Sequence, residues 1–229
     1  MKNFREGRNH CWPVAGLVLI ATWPALAQKF EITPLVGATF GGTIKVQQEG
    51  QDDVFRAHLK DSISYGIAGG FRFSGGDYSD YCEDCSVIEF RWMRQDSRLG
   101  LEKLPLTINP LGAPIGSVGV TLDHYLGDFT HEWAFKTSHA TVRPYLTASL
   151  GAARMATEGG AKTRFAFGFG TGVKIFSEKR WGLRLNVEYL PTVMHADVQT
   201  LVCRVACVVS LTGGVMNQFA VSIGPVIRF

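Results

Sequence analysis

The sequence predicts an all-β chain, an eight-stranded up-and-down antiparallel β-barrel that crosses a membrane, and three observations carry that expectation. Apolar and polar residues alternate with a period of two in eight successive segments, as they do in strands with two unlike faces. The apolar parity carries Phe and Trp rings, whereas the opposite parity carries Gly, Ser, Thr and charged residues. Beyond the N-terminal region no run approaches the roughly 18 apolar residues that mark a membrane-spanning helix.

The first segment sets Phe30, Ile32, Pro34, Val36, Ala38 and Phe40 against Glu31, Thr33, Gly37 and Thr39, and its phase continues through Ile44 and Val46. An antiparallel partner follows, with Ile63, Tyr65, Ile67, Phe71 and Phe73 opposite Ser64, Gly66, Ala68, Gly70 and Arg72. The third sets Ile88, Phe90 and Trp92 against Glu89, Arg91 and Gln95. The fourth, the least regular, sets Tyr125, Phe129, Trp133 and Phe135 against Asp128, Thr130 and Glu132. Pro144, Leu146, Ala148 and Leu150 then oppose Arg143, Tyr145, Thr147 and Ser149. Phe165, Phe167, Phe169, Val173 and Ile175 oppose Gly168, Gly170, Gly172 and Lys174. Leu183, Leu185, Val187 and Tyr189 face away from Arg184, Asn186 and Glu188. The last segment sets Phe219, Val221, Ile223, Ile227 and Phe229 against Ser222, Gly224 and Arg228.

Side-chain size decides which face is inside. Eight strands enclose a space just wide enough for side chains to fill. The Phe and Trp rings would overfill it, which argues against a soluble lipocalin-type barrel with its apolar face inward. The apolar face therefore looks outward, where lipid is the solvent that tolerates it. Connection lengths agree: Lys136 to Ala140 and Ser177 to Arg180 are tight turns, whereas Gln48 to Val54, Arg98 to Val120 and Pro191 to Met216 are long. Ser74 to Cys85 is longer than a turn-side connection needs to be.

The N-terminus reads as an export signal. Lys2, Arg5 and Arg8 precede the apolar run Val14 to Trp23, which ends in Ala25-Leu26-Ala27 before Gln28, the pattern of a cleaved secretory signal peptide. Residues 1–27 are expected to be removed between Ala27 and Gln28, leaving residues 28–229 as one barrel domain. Gln rather than Cys at position 28 argues against a lipid anchor. The 23 basic and 20 acidic residues become 20 and 19 after removal of three and one, a net charge of +1. That balance argues against nucleic acid as a partner, which requires clustered positive charge.

Arg143-Pro144-Tyr145 leading to Gly151, the glycine stripe Gly168, Gly170 and Gly172 before Lys174, and the C-terminal run ending in Phe229 give the chain a likeness to a known family. It resembles the small outer-membrane β-barrels that include the OmpX barrel and the N-terminal barrel of OmpA, over nearly the whole of Phe30 to Phe229. The resemblance implies a monomer in a Gram-negative outer membrane, in contact with its lipid and lipopolysaccharide. It also implies that Phe229 forms part of a C-terminal signal read by the barrel-assembly machinery.

Signs of chemistry are few. The glycine stripe lies inside a strand with no following helix, so it is no nucleotide loop; it leaves room in the lumen for a larger neighbour such as Tyr145 or Arg184. No His is followed two residues later by Ser, the spacing that would bring a base and a nucleophile together on one strand face. His131 on the outward parity reads as part of an interfacial belt. Cys82 with Cys85 and Cys203 with Cys207 are local pairs, expected to be disulfides in an exported chain. The alternative for C-x-x-C is a redox pair, and a shared zinc site would need both pairs on one side of the membrane. No cofactor or metal is expected.

The inward charges Glu31, Arg72, Glu89, Arg91, Glu132, Arg143, Lys174, Arg184, Glu188 and Arg228 include both signs and are expected to pair into a plug. If pairing closes the lumen, neutralising Glu89, Glu188 or Arg143 opens it. The long loops hold apolar residues that need cover: Leu99, Leu101, Leu104, Leu106, Ile108, Leu111, Ile115 and Val118, then Val198, Leu201, Val202, Val205, Val208 and Val209. Either a small core above the membrane or an unidentified extracellular partner supplies it. Together these observations predict a non-catalytic barrel with a structural or surface-interaction role. A narrow ion or small-solute channel and a lipid-modifying enzyme are the competing expectations.

Overall fold

A computed structural model describes residues 29–48, 54–74, 83–100, 117–157, 160–177, 180–194, 201–202, 208–212 and 214–229. These residues form strands and turns and no helix. In chain order the strands are β1 (Phe30–Gly41), β2 (Thr43–Gln48), β3 (Val54–Leu59), β4 (Ser62–Arg72), β5 (Asp84–Gly100), β6 (Ser117–Trp133), β7 (Phe135–Lys136), β8 (Thr141–Thr157), β9 (Gly160–Phe176), β10 (Trp181–Met194), β11 (Leu201–Val202), β12 (Val208–Thr212) and β13 (Gly214–Arg228).

The ladder runs β5, β4, β1, β13, β10, β9, β8, β6 and returns from β6 to β5, every pairing antiparallel. The chain therefore closes as an eight-stranded up-and-down barrel with no free edge in its wall. The two parities separate as the alternation predicts. Ile63 is 71% and Phe169 60% exposed on the outer face, whereas Glu89 is 1% exposed and Arg184 fully buried inside. An outer surface of Leu, Ile, Val and Phe around a polar interior defines a membrane-spanning barrel. Exposed aromatic residues mark both rims of the apolar band, Tyr65 and Tyr125 at the loop end, Phe135 and Trp181 at the turn end.

The wall is taller than a membrane requires. β5, β6, β8 and β9 each span 17 residues, whereas a tilted strand crosses hydrocarbon with roughly 9–11. The excess stands at the loop end. There β1 turns through Gly41 and Gly42, whose φ angles of 80° and 102° suit glycine and few other residues. β2 then leaves the wall to pair with β3, with Thr43 opposite His58, and with β12, with Lys45 opposite Thr212. β3 rejoins the barrel through Leu59 opposite Leu99, and β11 pairs with β12.

The sequence pattern places strands at 143–150 and 165–175, with residues 151–164 between them. The structure corrects this: β8 continues to Thr157 and β9 starts at Gly160, so the turn between them is short. Gly151, Ala152, Ala153, Ala156 and Ala161 lie in the extension, and Met155 is buried there while Arg154 faces out, so small residues and a polar outer face replace the apolar-out alternation of the wall below.

A buried apolar cluster fills the loop half of the barrel and the base of the extension. It includes Ile44, Leu59, Leu99, Val120, Leu122, Leu126, Met155, Leu190, Met194 and Met216, with Val118 packed against it. Leu99 and Val118, apolar residues in search of cover, find it there. Leu101, Leu104, Leu106, Ile108, Leu111, Ile115, Val198 and Val205 lie outside the described residues.

Candidate functional site

All ten inward charges lie buried in the lumen, held there because each occupies the inner parity of its strand. Toward the turn end Lys174 is the hub. Its Nζ donates to Glu31 from β1, to Glu89 Oε1 from β5 at 3.1 Å and to Glu132 Oε1 from β6 at 2.6 Å. Arg184 Nη1 donates to Glu89 Oε2 at 2.8 Å, and Arg228 Nε donates to Glu31 Oε2 at 3.3 Å while its guanidinium covers the Phe176 ring. Arg143 Nη1 lies 3.6 Å from Glu132 Oε2 and donates to Cys85 Sγ at 3.2 Å. Arg72 is fully buried at the same end.

Nearer the loop end a second group forms around Arg91. Both its terminal nitrogens bond the Glu188 carboxylate, and its Nε lies 2.9 Å from Asp128 Oδ2. Ser149 Oγ accepts from Arg91 Nη2 at 3.3 Å and donates to Glu188 Oε1 at 3.1 Å. Asp128 and Ser149 were not among the ten charges, although their inward parity marked them as lumen residues. Across both groups six cations (Arg72, Arg91, Arg143, Lys174, Arg184 and Arg228) meet five carboxylates (Glu31, Glu89, Asp128, Glu132 and Glu188). Partners from strands far apart in sequence converge here, so removing one strands another in a dry interior, at a cost of about 3–5 kcal/mol.

Tyr145 organises the space between the charges. Its ring lies against Gly172, directly opposite in the ladder. Its hydroxyl accepts from Arg184 Nε at 2.9 Å and donates to Asn186 Oδ1 at 2.9 Å, and the Arg184 guanidinium sits 5.0 Å from the ring centroid. The room left by the glycine stripe is thus taken at Gly172 by Tyr145. Above Arg91 lies a thin polar shelf, where Gln218 Nε2 donates to Gln95 Oε1 at 3.0 Å and His124 Nε2 has no hydrogen-bond partner among the described residues. The apolar cluster follows.

The outer face holds an arrangement that same-strand spacing could not reveal. His131 on β6 is paired in register with Ser86 on β5, with Nδ1 3.2 Å from Ser86 Oγ. Asp84, two residues before Ser86, places Oδ1 3.9 Å from His131 Nε2, and the Trp133 ring packs edge-on against the imidazole at 4.8 Å. Nucleophile, base and carboxylate therefore meet at the turn end. The neighbouring Ser86 N–H is already bonded to Ser74 Oγ at 2.9 Å, so it is not free to stabilise an oxyanion.

Cys85 is buried and held in a disulfide. Cys82, Cys203 and Cys207 lie outside the described residues, as do Ala27 and Gln28. Phe229 is exposed on the outer face, and its N–H donates to the Phe30 carbonyl at 3.0 Å, joining the ends of the first and last barrel strands.

No protein-family model matches the chain, and no curated protein matches it. Among solved structures it is similar to neisserial surface protein A, with 13% identity and a TM-score of 0.46 over 87% of this chain and 97% of that one. It is also similar to the N-terminal β-barrel domain of Pseudomonas aeruginosa OprF, with 11% identity and a TM-score of 0.40 over 88% and 98%. The outer membrane protease OmpT from Escherichia coli gives 8% identity and a TM-score of 0.45 over 89% and 97%. Likeness at this level leaves function to be argued from the chain's own geometry.

Proposed function

We propose that this chain is a sealed outer-membrane barrel, monomeric and without cofactor, that anchors an extracellular β-extension for surface interactions. The observation that carries this is the filling of the lumen by two layers of different chemistry. The Lys174 and Arg91 ion-pair groups occupy the turn half, and the Leu122, Leu126, Met155 and Met216 cluster occupies the loop half. An eight-stranded interior has no spare width around such contents. The short turns face the periplasm and the extension faces outward, the usual arrangement in such barrels, and outer-membrane lipid surrounds the apolar band, with lipopolysaccharide at its loop-end half. Purified protein in a planar bilayer is expected to give no steady current. Porin-sized conductance from the wild type would overturn this reading in favour of the channel.

A second reading has one specific observation behind it, the meeting of Ser86, His131 and Asp84 on the lipid-facing rim. There Ser86 Oγ would attack an ester carbonyl while His131 takes its proton and passes it to the leaving alcohol, and water would then release the acid. Mass analysis of phospholipids, the lipids of the periplasmic leaflet that this turn-end site faces, from cells carrying wild type, Ser86→Ala or no gene decides it. Identical lipid profiles remove the enzyme. Loss of a hydrolysed species in both the variant and the null strain establishes it.

A further inference from the structure

The kink at Gly41 and Gly42 leaves an opening in the loop end of the wall. β1 pairs with β13 as far as Gly41 opposite Gln218. β2 then swings onto β3 and β12, while β13 continues beside β10 up to Gly214 opposite Met194. Between the departing ribbon and the β10–β13 pair lies a cavity of about 350 Å³, with Ile44, Met194, Val215 and Met216 in its apolar lining and Lys45 and Arg56 at its polar side. That volume falls within the roughly 300–1,000 Å³ usual for small-molecule sites.

The two cations are directly opposite each other in the β2–β3 ladder. Like charges in that position destabilise a strand pair, yet both side chains are exposed and neither has an acidic partner among the described residues. A negatively charged group between them would turn the repulsion into two charge-assisted contacts. The cavity also sits at a telling height. Val215 lies four residues beyond Phe219 on the same outward parity, and Phe219 packs against Tyr189 at the loop-end rim of the apolar band, ring centroids 5.1 Å apart. Four residues advance about 13 Å along a strand, which brings the site to the level of lipid headgroups.

We infer that this cavity binds a phosphorylated amphiphile of the outer leaflet, its phosphate held between Lys45 and Arg56 and its first apolar segment resting on Val215 over the buried floor of Ile44, Met194 and Met216. The inference rests on the outer-membrane reading above for the source of the ligand, and on the cavity's own geometry for its chemistry.

The methionines make the test direct, because Met194 and Met216 line the cavity while Met93 packs in a separate cluster with Leu35 and Ala68. The protein is refolded into uncharged, phosphate-free octyl tetraoxyethylene micelles with 13C-labelled methionine methyl groups, and a heat-dependent shift in gel migration first establishes that the barrel has formed. Decyl phosphate is then titrated against wild type and Lys45→Gln/Arg56→Gln, with decyl maltoside and inorganic phosphate as comparison probes. The Met194 and Met216 methyl resonances are expected to move with decyl phosphate while Met93 stays, and the double variant to need at least tenfold more probe. No movement in a folded barrel overturns the site and leaves the barrel intact. An equal response in the double variant, or an equal response to decyl maltoside, overturns the role of the cations. Movement with inorganic phosphate over the same concentration range overturns the amphiphile. Absence of the heat-dependent shift indicts the barrel reading itself.

Discussion

A Cβ atom on Gly172 would lie 2.4 Å from the Tyr145 hydroxyl oxygen, so the tyrosine occupies space that any other residue at this position would claim. The same Cβ would meet the Leu185 carbonyl at 2.2 Å, which leaves the strand no easy way to yield. Gly172→Ala is therefore expected to destabilise the barrel by about 1–3 kcal/mol, the usual range for overpacking. Urea unfolding of the lipid-refolded protein measures it. Combined with Tyr145→Ala, the loss should fall short of the sum of the two single losses by at least about 0.5 kcal/mol. Strict additivity would show that Tyr145 does not depend on the space at Gly172.

Lys174 serves three carboxylates, whereas each carboxylate keeps only part of the network. Lys174→Met should accordingly cost more than Glu31→Gln, Glu89→Gln or Glu132→Gln, with a loss of about 3–5 kcal/mol. The comparison uses the same urea midpoints. A Lys174→Met barrel as stable as the Glu132→Gln barrel would mean that the carboxylates share their charge with the arginines alone.

The lumen's second layer changes what charge neutralisation should do to conductance. From ion pairing alone, replacing Glu89, Glu188 or Arg143 opens the lumen. With Leu122, Leu126, Met155 and Met216 packed beyond the charges, Glu188→Gln is expected to remain silent in a planar bilayer. Adding Leu126→Ala and Met155→Ala to it should give small openings. Current from Glu188→Gln alone would show that the apolar layer does not seal.

Deleting Phe229 should lower the amount of barrel in the outer membrane, because it removes both the terminal aromatic ring and the N–H bond to Phe30 that joins the first and last strands. Quantitative blotting of membrane fractions reads the effect. Phe229→Ala retains that backbone bond, so a loss confined to the deletion would assign the effect to the seam rather than to recognition of the ring.

The barrel was legible in the sequence wherever the two faces differ in polarity. Phe90 beside Glu89 and Arg91, or Leu183 and Leu185 around Arg184, announces both the strand and its orientation. It became illegible across residues 151–164, where half the positions are alanine or glycine and where Met155 turns inward and Arg154 outward, the reverse of the apolar-out pattern below. The candidate site divides in the same way. Parity alone puts Lys174 and Glu89 in the lumen, but that they touch depends on the stagger of β5 and β9 around the barrel, which no single strand encodes. Ser86 and His131 escaped for the related reason that residues 45 apart become neighbours only once the β5–β6 register is fixed.

The reach of Lys174 bears on how such a barrel can be made. Its three carboxylates come from β1, β5 and β6 while it stands on β9, and they lie 143, 85 and 42 residues away in the chain. No run of adjacent hairpins smaller than most of the wall brings the whole set together. A sheet entering lipid one hairpin at a time would carry bare ammonium and carboxylate groups into hydrocarbon, where each is strongly disfavoured. The interior must therefore stay wet until the β1–β13 seam forms, and dehydration and closure become a single cooperative event with no comfortable halfway state.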